Sequence, residues 1–346
     1  MELNVTGVAA YVRDAARADA AAVERLERLG GGAIQESWAL DVRIEGGPQA
    51  GRHELVLRTS APSTIAVSWD RPEEFRIHQA AHRAGVTVPE PLWLCEGATS
   101  PLGKPFYVMR RVPGIARGDQ VVKDPAVRAK GEALAARLGA ELARLHRLRP
   151  PVAGLGFVPV PEEAPARARV AEYRRYLDAL GTAEPVLEWA LRWLERKAPP
   201  TFDVTLVHAD FRTGNYVVED GELTAVLDWE FAGFSDPLED LGWMLAPCWR
   251  FGVQDHDAGG IGSRAAFLDG YEAEAGRRVP RECLPYWEIM ATVRWAVIAL
   301  QQAARHWSGA EPSLELALTA YIVPILELDL LTMIEQADAA KVEAAA

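Results

Sequence analysis

Cysteine is scarce in this sequence, with three residues among 346. Cys95, Cys248 and Cys283 lie far apart, so their spacing fits neither a disulfide framework nor a metal-ligand motif. A reducing compartment is the simpler expectation. Basic residues are also in deficit, because 37 Lys and Arg stand against 49 Asp and Glu and leave a formal charge of −12. We therefore expect no general nucleic-acid binding, since affinity for the phosphate backbone requires a basic surface.

We also identify no apolar run long enough to span a membrane. The N-terminal segment carries charges throughout and does not contain the apolar core of a signal peptide. The most apolar helical run that we identify, residues 295–304, is too short to span a bilayer. We therefore expect a soluble cytoplasmic protein without a membrane partner. What is present is an ordinary globular composition, 49% hydrophobic and 25% charged, and the length indicates roughly two domains or lobes.

Residues 1–112 show the pattern of a small antiparallel sheet with one or two helices. Apolar positions predict a helix over residues 8–29, which three consecutive glycines end. Two strand-like runs, 37–44 and 54–58, flank a turn and predict a hairpin. The other predicted elements of this part are a helix and two strands, over residues 72–84, 92–95 and 105–112.

Beyond Pro113 and Gly114 the chain becomes mainly helical. Short apolar runs over residues 204–207, 216–218 and 223–227 interrupt the helices and predict strands. The predicted helices cover residues 126–148, 163–180, 184–197, 265–275, 284–307 and 314–337. The pattern as a whole predicts an α+β fold, with an N-terminal sheet lobe over residues 1–112 and a larger, mainly helical lobe over residues 113–346.

A dense polar cluster lies among the short strands of the second part. It has the sequence LVHADFRTGN, which ends at Asn215, and the segment AVLDWE follows it. Asp210 lies in a loop between strands, and Asp228 comes directly after an apolar strand. Two oxygen ligands from neighbouring strands, here Asn215 and Asp228, suit Mg²⁺, which keeps its remaining positions for phosphate and water. A further carboxylate nearby can accept a proton from an attacking hydroxyl.

The spacing in this cluster resembles the aminoglycoside phosphotransferase family, whose members have the protein-kinase-like two-lobed fold. The motif from His208 to Asn215 has the spacing of the kinase catalytic loop, with Ala209 in place of Arg, and Asp228 follows as the metal-binding aspartate does in kinases. Longer segments are similar to bacterial phosphotransferases that resemble the N-terminal kinase-like domain of certain acyl-CoA dehydrogenases. These segments are PFYVMRRVPG, LVHADFRTGN, AVLDWEFAGFSDPLEDLGW and ATVRWAVIALQQAARHWSG.

The resemblance implies a role for each residue of the motif. Asp210 would be the catalytic base that orients the acceptor hydroxyl, and His208 would brace the loop. Arg212, in the same motif, is the third residue that we expect to be catalytic. Asn215 and Asp228 would hold the Mg²⁺ that accompanies ATP.

The N-terminal part would supply the nucleotide site. Glycines before the first strand of the hairpin would let backbone N–H groups approach phosphates, and the residues assigned there are Gly31, Gly32 and Ser37. Arg58 aligns with the strand that carries the ATP-binding Lys of kinases, so it keeps the charge but not the compact ammonium group. Glu74 would pair with Arg58, and Glu73 is the alternative.

The segment PFYVMRRVPG resembles the hinge between the lobes, at about residues 109–114. Met109 would lie behind the adenine, and the backbone of Arg110 and Val112 would bond its edge. In the C-terminal helices, Arg294 and Arg305 lie in apolar surroundings and require partners. An acidic acceptor or an internal carboxylate would serve equally well.

The resemblance as a whole implies transfer of the γ-phosphoryl group of ATP to the hydroxyl of a small molecule. The acceptor expected from the acyl-CoA-dehydrogenase branch is a hydroxyacyl-CoA or a hydroxy acid, and an aminoglycoside or another antibiotic is the alternative. From a different class, a nucleotide-binding pseudokinase that regulates a partner would use the same site. A Mg²⁺-dependent phosphohydrolase fits less well, because no nucleophile motif accompanies the carboxylates. The expected assembly is a monomer or a homodimer.

Overall fold

The computed structural model describes residues 4–30, 35–60, 68–97, 99–200 and 202–345. Its strands are β1 (Ala20–Arg28), β2 (Gln35–Glu45), β3 (Gly51–Ser60), β4 (Pro91–Cys95), β5 (Phe106–Arg110), β6 (Thr205–Val207), β7 (Tyr216–Glu219), β8 (Glu222–Val226) and β9 (Gly233–Ser235). Its α-helices are α1 (Val5–Ala16), α2 (Arg71–Arg83), α3 (Gly118–Val121), α4 (Pro125–Leu145), α5 (Pro165–Leu180), α6 (Pro185–Lys197), α7 (Leu238–Leu245), α8 (Arg264–Ala275), α9 (Leu284–Trp307), α10 (Leu314–Thr319) and α11 (Val323–Ala345). The predicted α+β fold class is confirmed.

Two compact units divide the chain. The first contains Met1–Val121, Pro151–Val158 and Gly214–Ala232, and the second contains the remaining segments. The units therefore interleave along the sequence, whereas the lobes expected over residues 1–112 and 113–346 are contiguous. Because of this interleaving, the hairpin β7–β8 belongs to the first unit although it follows most of the helices.

The first unit is built on a five-stranded antiparallel sheet in the order β1-β2-β3-β5-β4. Alternate residues of its central strands point to one face, where Leu40, Leu55, Leu57 and Val108 are fully buried. Helix α1 covers this face with Val8 and its neighbours in the same core. The hairpin predicted from residues 37–44 and 54–58 is confirmed as the antiparallel pair β2–β3.

The helix predicted over residues 8–29 is wrong, because the segment forms helix α1 and then strand β1. Arg17 adopts a left-handed φ of 53° and ends the helix. Strand β1 carries a bulge between Val23 and Arg25, where its pairing with β2 shifts by one residue. The bulge separates the inward-facing Val23 and Leu26 by three residues, which is the spacing of a helix.

In the second unit, helices α4 and α8 approach so closely that glycine is required at their contact. A Cβ on Gly139 would lie 2.0 Å from the carbonyl oxygen of Phe267, and one on Gly270 would lie 2.0 Å from that of Ala136. Neither distance leaves room for any side chain. The unit also contains a two-stranded sheet of β6 and β9, and β9 is not among the strands predicted from the sequence.

The helix predicted over residues 314–337 is divided into α10 and α11 by a 3₁₀ turn, Ala320–Ile322. Pro324 lies in the first turn of α11, where its missing N–H group is tolerated. This stretch, and not residues 295–304, is the most apolar: Leu314–Ala340 is long and apolar enough to cross a membrane by length and composition alone. Its apolar residues occupy both faces. Those exposed to solvent, which we call the apolar stripe, are Leu314, Leu318, Tyr321, Ile325, Leu328 and Leu331.

Candidate active site

In the second unit, the loop that follows strand β6 is held by one carboxylate of helix α7. Asp240 is fully buried and accepts hydrogen bonds from the backbone N–H groups of His208, at 2.7 Å, and Ala209, at 2.8 Å. His146 Nε2 lies 3.1 Å from the same carboxylate. Burial alone would raise the pKa of Asp240, but the hydrogen bonds from His146 and the loop lower it below its ordinary value. Asp240 is therefore a charged anchor for the loop.

The backbone of this loop is strained at Ala209, which has a left-handed φ of 60°. That conformation is uncommon for a residue with a Cβ and persists where the surroundings hold it. Here Asp240 holds the N–H group of Ala209, and Arg294 donates a hydrogen bond to its carbonyl oxygen. The turn reverses the chain between His208 and Asp210, and the Nδ1 atom of His208 accepts the N–H of Asp210 at 3.2 Å.

The side chain of Asp210 lies in an aromatic and cationic environment. Its Oδ1 atom accepts a hydrogen bond from the indole Nε1 of Trp243 at 2.9 Å and another from Arg212 Nε at 3.2 Å. The guanidinium of Arg212 lies 4.4 Å from the centre of the Trp249 ring. That of Arg294 lies 4.4 Å from the Trp243 ring, a distance typical of cation–π contacts. The structure thus brings the three predicted catalytic residues, His208, Asp210 and Arg212, into one loop.

In the first unit, Arg58 on strand β3 forms ion pairs with two carboxylates. Its Nε atom lies 3.0 Å from Glu74 of helix α2, and its Nη2 atom contacts Asp228. Burial alone would lower the pKa of Arg58, but Asp228 and the other nearby acids raise it above its ordinary value. Glu73, the alternative partner, faces away and lies 3.9 Å from Arg76.

Glu74 contacts several polar side chains besides Arg58. It is fully buried and contacts Arg71 as well as Arg58, and the hydroxyl of Tyr107 lies 3.2 Å from its Oε1 atom. Arg71 is itself buried, and the backbone carbonyl of Trp69 accepts its Nη2 at 2.8 Å. Glu74 thus lies between two guanidinium groups. It therefore fixes the position of Arg58 on the strand.

The proposed metal ligands lie at one end of the hairpin β7–β8. Asn215 immediately precedes β7, and its carbonyl oxygen accepts the N–H of Leu227 at 2.8 Å. Asp228 comes directly after Leu227, and it has a left-handed φ of 71° and a side chain that is 30% exposed. An amide oxygen and a carboxylate from adjacent strands form a donor set that fits Mg²⁺. Among the residues described, no group of three or more His, Cys, Asp or Glu could hold a metal ion.

The remaining nucleotide-site residues lie on or beside the sheet. Ser37 on β2 pairs with Arg58, and Met109 is buried against Val56 and Tyr107. The N–H of Arg110 donates to the carbonyl of Glu90 at 3.0 Å, so only its carbonyl could contact adenine. Val112 follows the end of β5. Gly31 and Gly32 lie outside the described residues. These assignments, like those of the catalytic and metal residues, stay predictions.

The contact of Trp243 with Asp210 is not among the sequence-based expectations. The signal was available, because Trp243 stands three residues after Asp240 and such residues share one face of a helix. The two other cations singled out from the sequence have internal partners. Arg294 lies 3.8 Å from Glu239, and Arg305 bonds Gln302 and contacts Glu311.

Comparisons with known proteins agree with this arrangement. Residues 25–285 match the model of the phosphotransferase enzyme family, APH. Mouse acyl-CoA dehydrogenase family member 10 is 34% identical over 197 residues, which cover 55% of this chain but 18% of that protein.

Solved structures share the fold. A Ralstonia eutropha protein assigned to the aminoglycoside phosphotransferases has a TM-score of 0.74 at 22% identity, covering 96% of this chain and 99% of its own. A thermostable mutant of the aminoglycoside phosphotransferase APH(4)-Ia, in a ternary complex with AMP-PNP and hygromycin B, has a TM-score of 0.59 at 18% identity, covering 90% of this chain and 95% of its own. Since the family model spans most of the catalytic-loop and sheet elements described above, this chain belongs to the phosphotransferase enzyme family.

Proposed function

We propose that this protein transfers the γ-phosphoryl group of ATP to the hydroxyl of a small anionic molecule, a hydroxyacyl-CoA or a hydroxy acid. The observation that carries this proposal is the charge around Asp210. Two guanidinium groups are its neighbours: Arg212 bonds the carboxylate, and Arg294, which also lies 3.8 Å from Glu239, bonds the carbonyl of Ala209. Cations beside the acceptor position attract an anionic acceptor and repel a polycation such as an aminoglycoside.

Each residue contributes a separate step. Asp210 orients the acceptor hydroxyl and takes its proton as the oxygen attacks. Arg212 binds the negative group of the acceptor and offsets the charge that gathers at the loop. In phosphoryl transfer the protein mainly positions groups and neutralises charge, so these contacts account for most of the catalysis.

The first unit would bind the nucleotide. Arg58, fixed by Glu74, supplies a cation to the phosphates, and the backbone carbonyl of Arg110 receives the adenine edge. Asn215 and Asp228 would hold Mg²⁺, which supplies neutralisation of phosphate charge when it is bound. Because Arg58 contacts Asp228, we expect the nucleotide phosphates and Asp228 to share this cation.

A panel of acceptors tests the proposal. ATP labelled in its γ-phosphate is incubated with hydroxyacyl-CoA thioesters, free hydroxy acids and aminoglycosides, and the label in each acceptor is measured. We expect label in the anionic acceptors and none in the aminoglycosides. Label in the aminoglycosides alone would contradict the acceptor class. ATP binding without any labelled acceptor would favour a pseudokinase that regulates a partner.

A pair of variants tests the role of Arg212 within that panel. Arg212→Gln should raise the KM for the anionic acceptor about tenfold and leave the KM for ATP nearly unchanged, since loss of one charged hydrogen bond costs about 1.5 kcal/mol. Arg117→Gln is the matched control, because its side chain is 70% exposed and pairs with Asp119 on the surface. An unchanged acceptor KM in Arg212→Gln would show that another residue selects the acceptor.

A further inference from the structure

We propose that Trp243 is a positioning residue for phosphoryl transfer, whose indole N–H holds the carboxylate of Asp210. The inference rests on the proposed function, because it takes Asp210 as the group that receives the hydroxyl proton. Trp243 Nε1 lies 2.9 Å from Asp210 Oδ1. Both residues are buried, at 2% and 8% exposure, so water competes little for this hydrogen bond.

Helix α7 reaches the catalytic loop through two residues, one turn apart. Asp240 holds the backbone N–H groups of His208 and Ala209, and Trp243 holds the side chain of Asp210. Residues at i and i+3 face the same side of a helix. A single rigid element therefore fixes both the backbone and the carboxylate of the loop, which makes the direction of the carboxylate a property of the helix.

The indole plane is itself fixed. The guanidinium of Arg294 lies 4.4 Å from the ring centre and also donates to the carbonyl of Ala209. On another side, the ring centre of Trp249 lies 5.1 Å away. Trp243 cannot swing its N–H away from Asp210 without breaking these contacts, so the hydrogen bond is preorganised. A neutral donor suits this role, because it orients the carboxylate and leaves its negative charge in place.

The pairing is not a general property of buried tryptophans in this protein. The indole nitrogens of Trp249 and Trp287 are buried without a hydrogen-bond acceptor among the described residues. In the described part of this protein, an indole N–H can therefore be buried without a hydrogen-bond acceptor. Trp287 thus provides a matched control, since its replacement by Phe removes an indole N–H that makes no such bond.

The first test is steady-state kinetics with an acceptor to which the wild-type protein transfers phosphate. Trp243→Phe keeps an aromatic ring under Arg294 but removes the donor. We expect kcat to fall roughly 10- to 100-fold, since a small misplacement of a catalytic group costs about that much, while both KM values stay within about twofold. Trp287→Phe should retain kcat within about twofold. Wild-type kcat in Trp243→Phe, or a loss that appears in KM alone, would overturn the positioning role.

A double variant separates positioning from general damage. If Trp243 acts through Asp210, Trp243→Phe should lower the residual kcat of Asp210→Ala by less than about twofold, because residues that act as a unit are not additive. A full second loss in the double variant would show that Trp243 acts elsewhere.

A spectroscopic test needs neither an acceptor nor a tryptophan variant that folds. In protein labelled with ¹⁵N-tryptophan, Asp210→Ala should shift the assigned indole N–H signal of Trp243 and speed its hydrogen exchange, while the Trp287 signal stays in place. A Trp243 signal that ignores Asp210→Ala would overturn the proposal. If the Trp243 signal shifts but the protein transfers phosphate to none of the acceptors tested, the contact is supported and only the proposed function is contradicted.

Discussion

At the scale of single residues, the two aspartates of the motif have different surroundings. Asp210 is held by Trp243 and Arg212, and both contacts orient its carboxylate. Asp228 is paired with the cation Arg58 and lies 30% exposed at the end of a hairpin. The surroundings of Asp210 suit a group that acts on the acceptor, and those of Asp228 suit a group that acts beside the nucleotide.

We expect Asp210→Asn and Asp228→Asn to separate chemistry from nucleotide binding. Asp210→Asn removes the negative charge that takes the proton, so kcat should fall by about 10²–10⁴-fold with little change in ATP affinity. Asp228→Asn removes a metal-ligating charge, so Mg·ATP affinity and turnover should fall together. Turnover and calorimetry on both variants provide the measurement. Near-wild-type turnover in Asp210→Asn would mean that the catalytic-loop assignment is wrong.

Arg58 should matter for both nucleotide affinity and stability. Its side chain is 12% exposed between Glu74 and Asp228, so Arg58→Ala leaves a buried carboxylate without this cation and should lower Tm as well as ATP affinity. Arg58→Lys should retain part of both. Arg192→Ala, at a side chain 69% exposed, is the control. If Arg58→Ala binds ATP normally, the nucleotide cation lies elsewhere, and Arg52 and Arg43 are the alternatives.

At the scale of elements, helices and strands with strong periodicity could be predicted and irregular ones could not. The helix predicted over residues 284–307 has the same bounds as α9. Strand β1 was hidden by its bulge, because register is a property of two paired strands and not of one sequence.

The candidate site shows the same division between local and tertiary signals. The spacing from His208 to Asn215 identified a loop because the chemistry there depends on neighbours in sequence. The hydrogen bond between Trp243 and Asp210 joins residues 33 positions apart. The sequence places Trp243 on the same helix face as Asp240, but only the packing of helix α7 under the loop shows which residue it contacts.

The contact between α4 and α8 leads to a prediction at this scale. A methyl group on Gly139 would overlap the backbone carbonyl of Phe267, and backbone cannot move aside as a side chain can. Gly139→Ala should therefore destabilise the fold by about 2 kcal/mol or more, despite the better helix propensity of alanine. Gly233→Ala is the control, because its Cβ would meet nothing within 4 Å. Urea denaturation of the two variants measures the difference, and equal midpoints would contradict the close approach.

At the scale of the whole molecule, stability should depend on pH through Asp236. Burial raises the pKa of this carboxyl to about 6. Between its ordinary pKa and that value, the folded state holds a proton that the unfolded state has released, so stability falls as pH rises through this window. Asp236→Asn keeps an oxygen for the N–H of Leu238, at 2.9 Å in the wild type. It should therefore gain on the order of 1–3 kcal/mol at pH 7 relative to wild type.

The gain should be much smaller at pH 4, close to the ordinary pKa of the carboxyl, where the folded state and much of the unfolded ensemble carry the proton. The free energy of unfolding across pH 4–8 measures it. A gain of equal size at pH 4 and pH 7 would show that the effect comes from packing and not from the charge.

The apolar stripe on α10 and α11 should govern solubility and not stability. Leu318 and Ile325 are 52% and 61% exposed, so replacing both with Gln should change Tm little and reduce aggregation. Leu326→Gln, at a neighbouring position that is 1% exposed, should instead lower Tm strongly. Light scattering and thermal melts compare the two proteins. A large loss of Tm in the Leu318/Ile325 variant would mean that a further part of the protein covers the stripe.

The glycine contact between α4 and α8 also has a consequence for the order of folding. Gly139 and Phe267 are separated by roughly 130 residues, so their meeting closes a long loop whose entropy must be offset before the contact stabilises anything. Contacts at such separation tend to slow folding and to form after local structure. The two helices should therefore dock late, and loosening their contact should mainly speed unfolding while the folding rate stays nearly constant. The glycine contact between α4 and α8 would then control how long the native state persists more than how fast it forms.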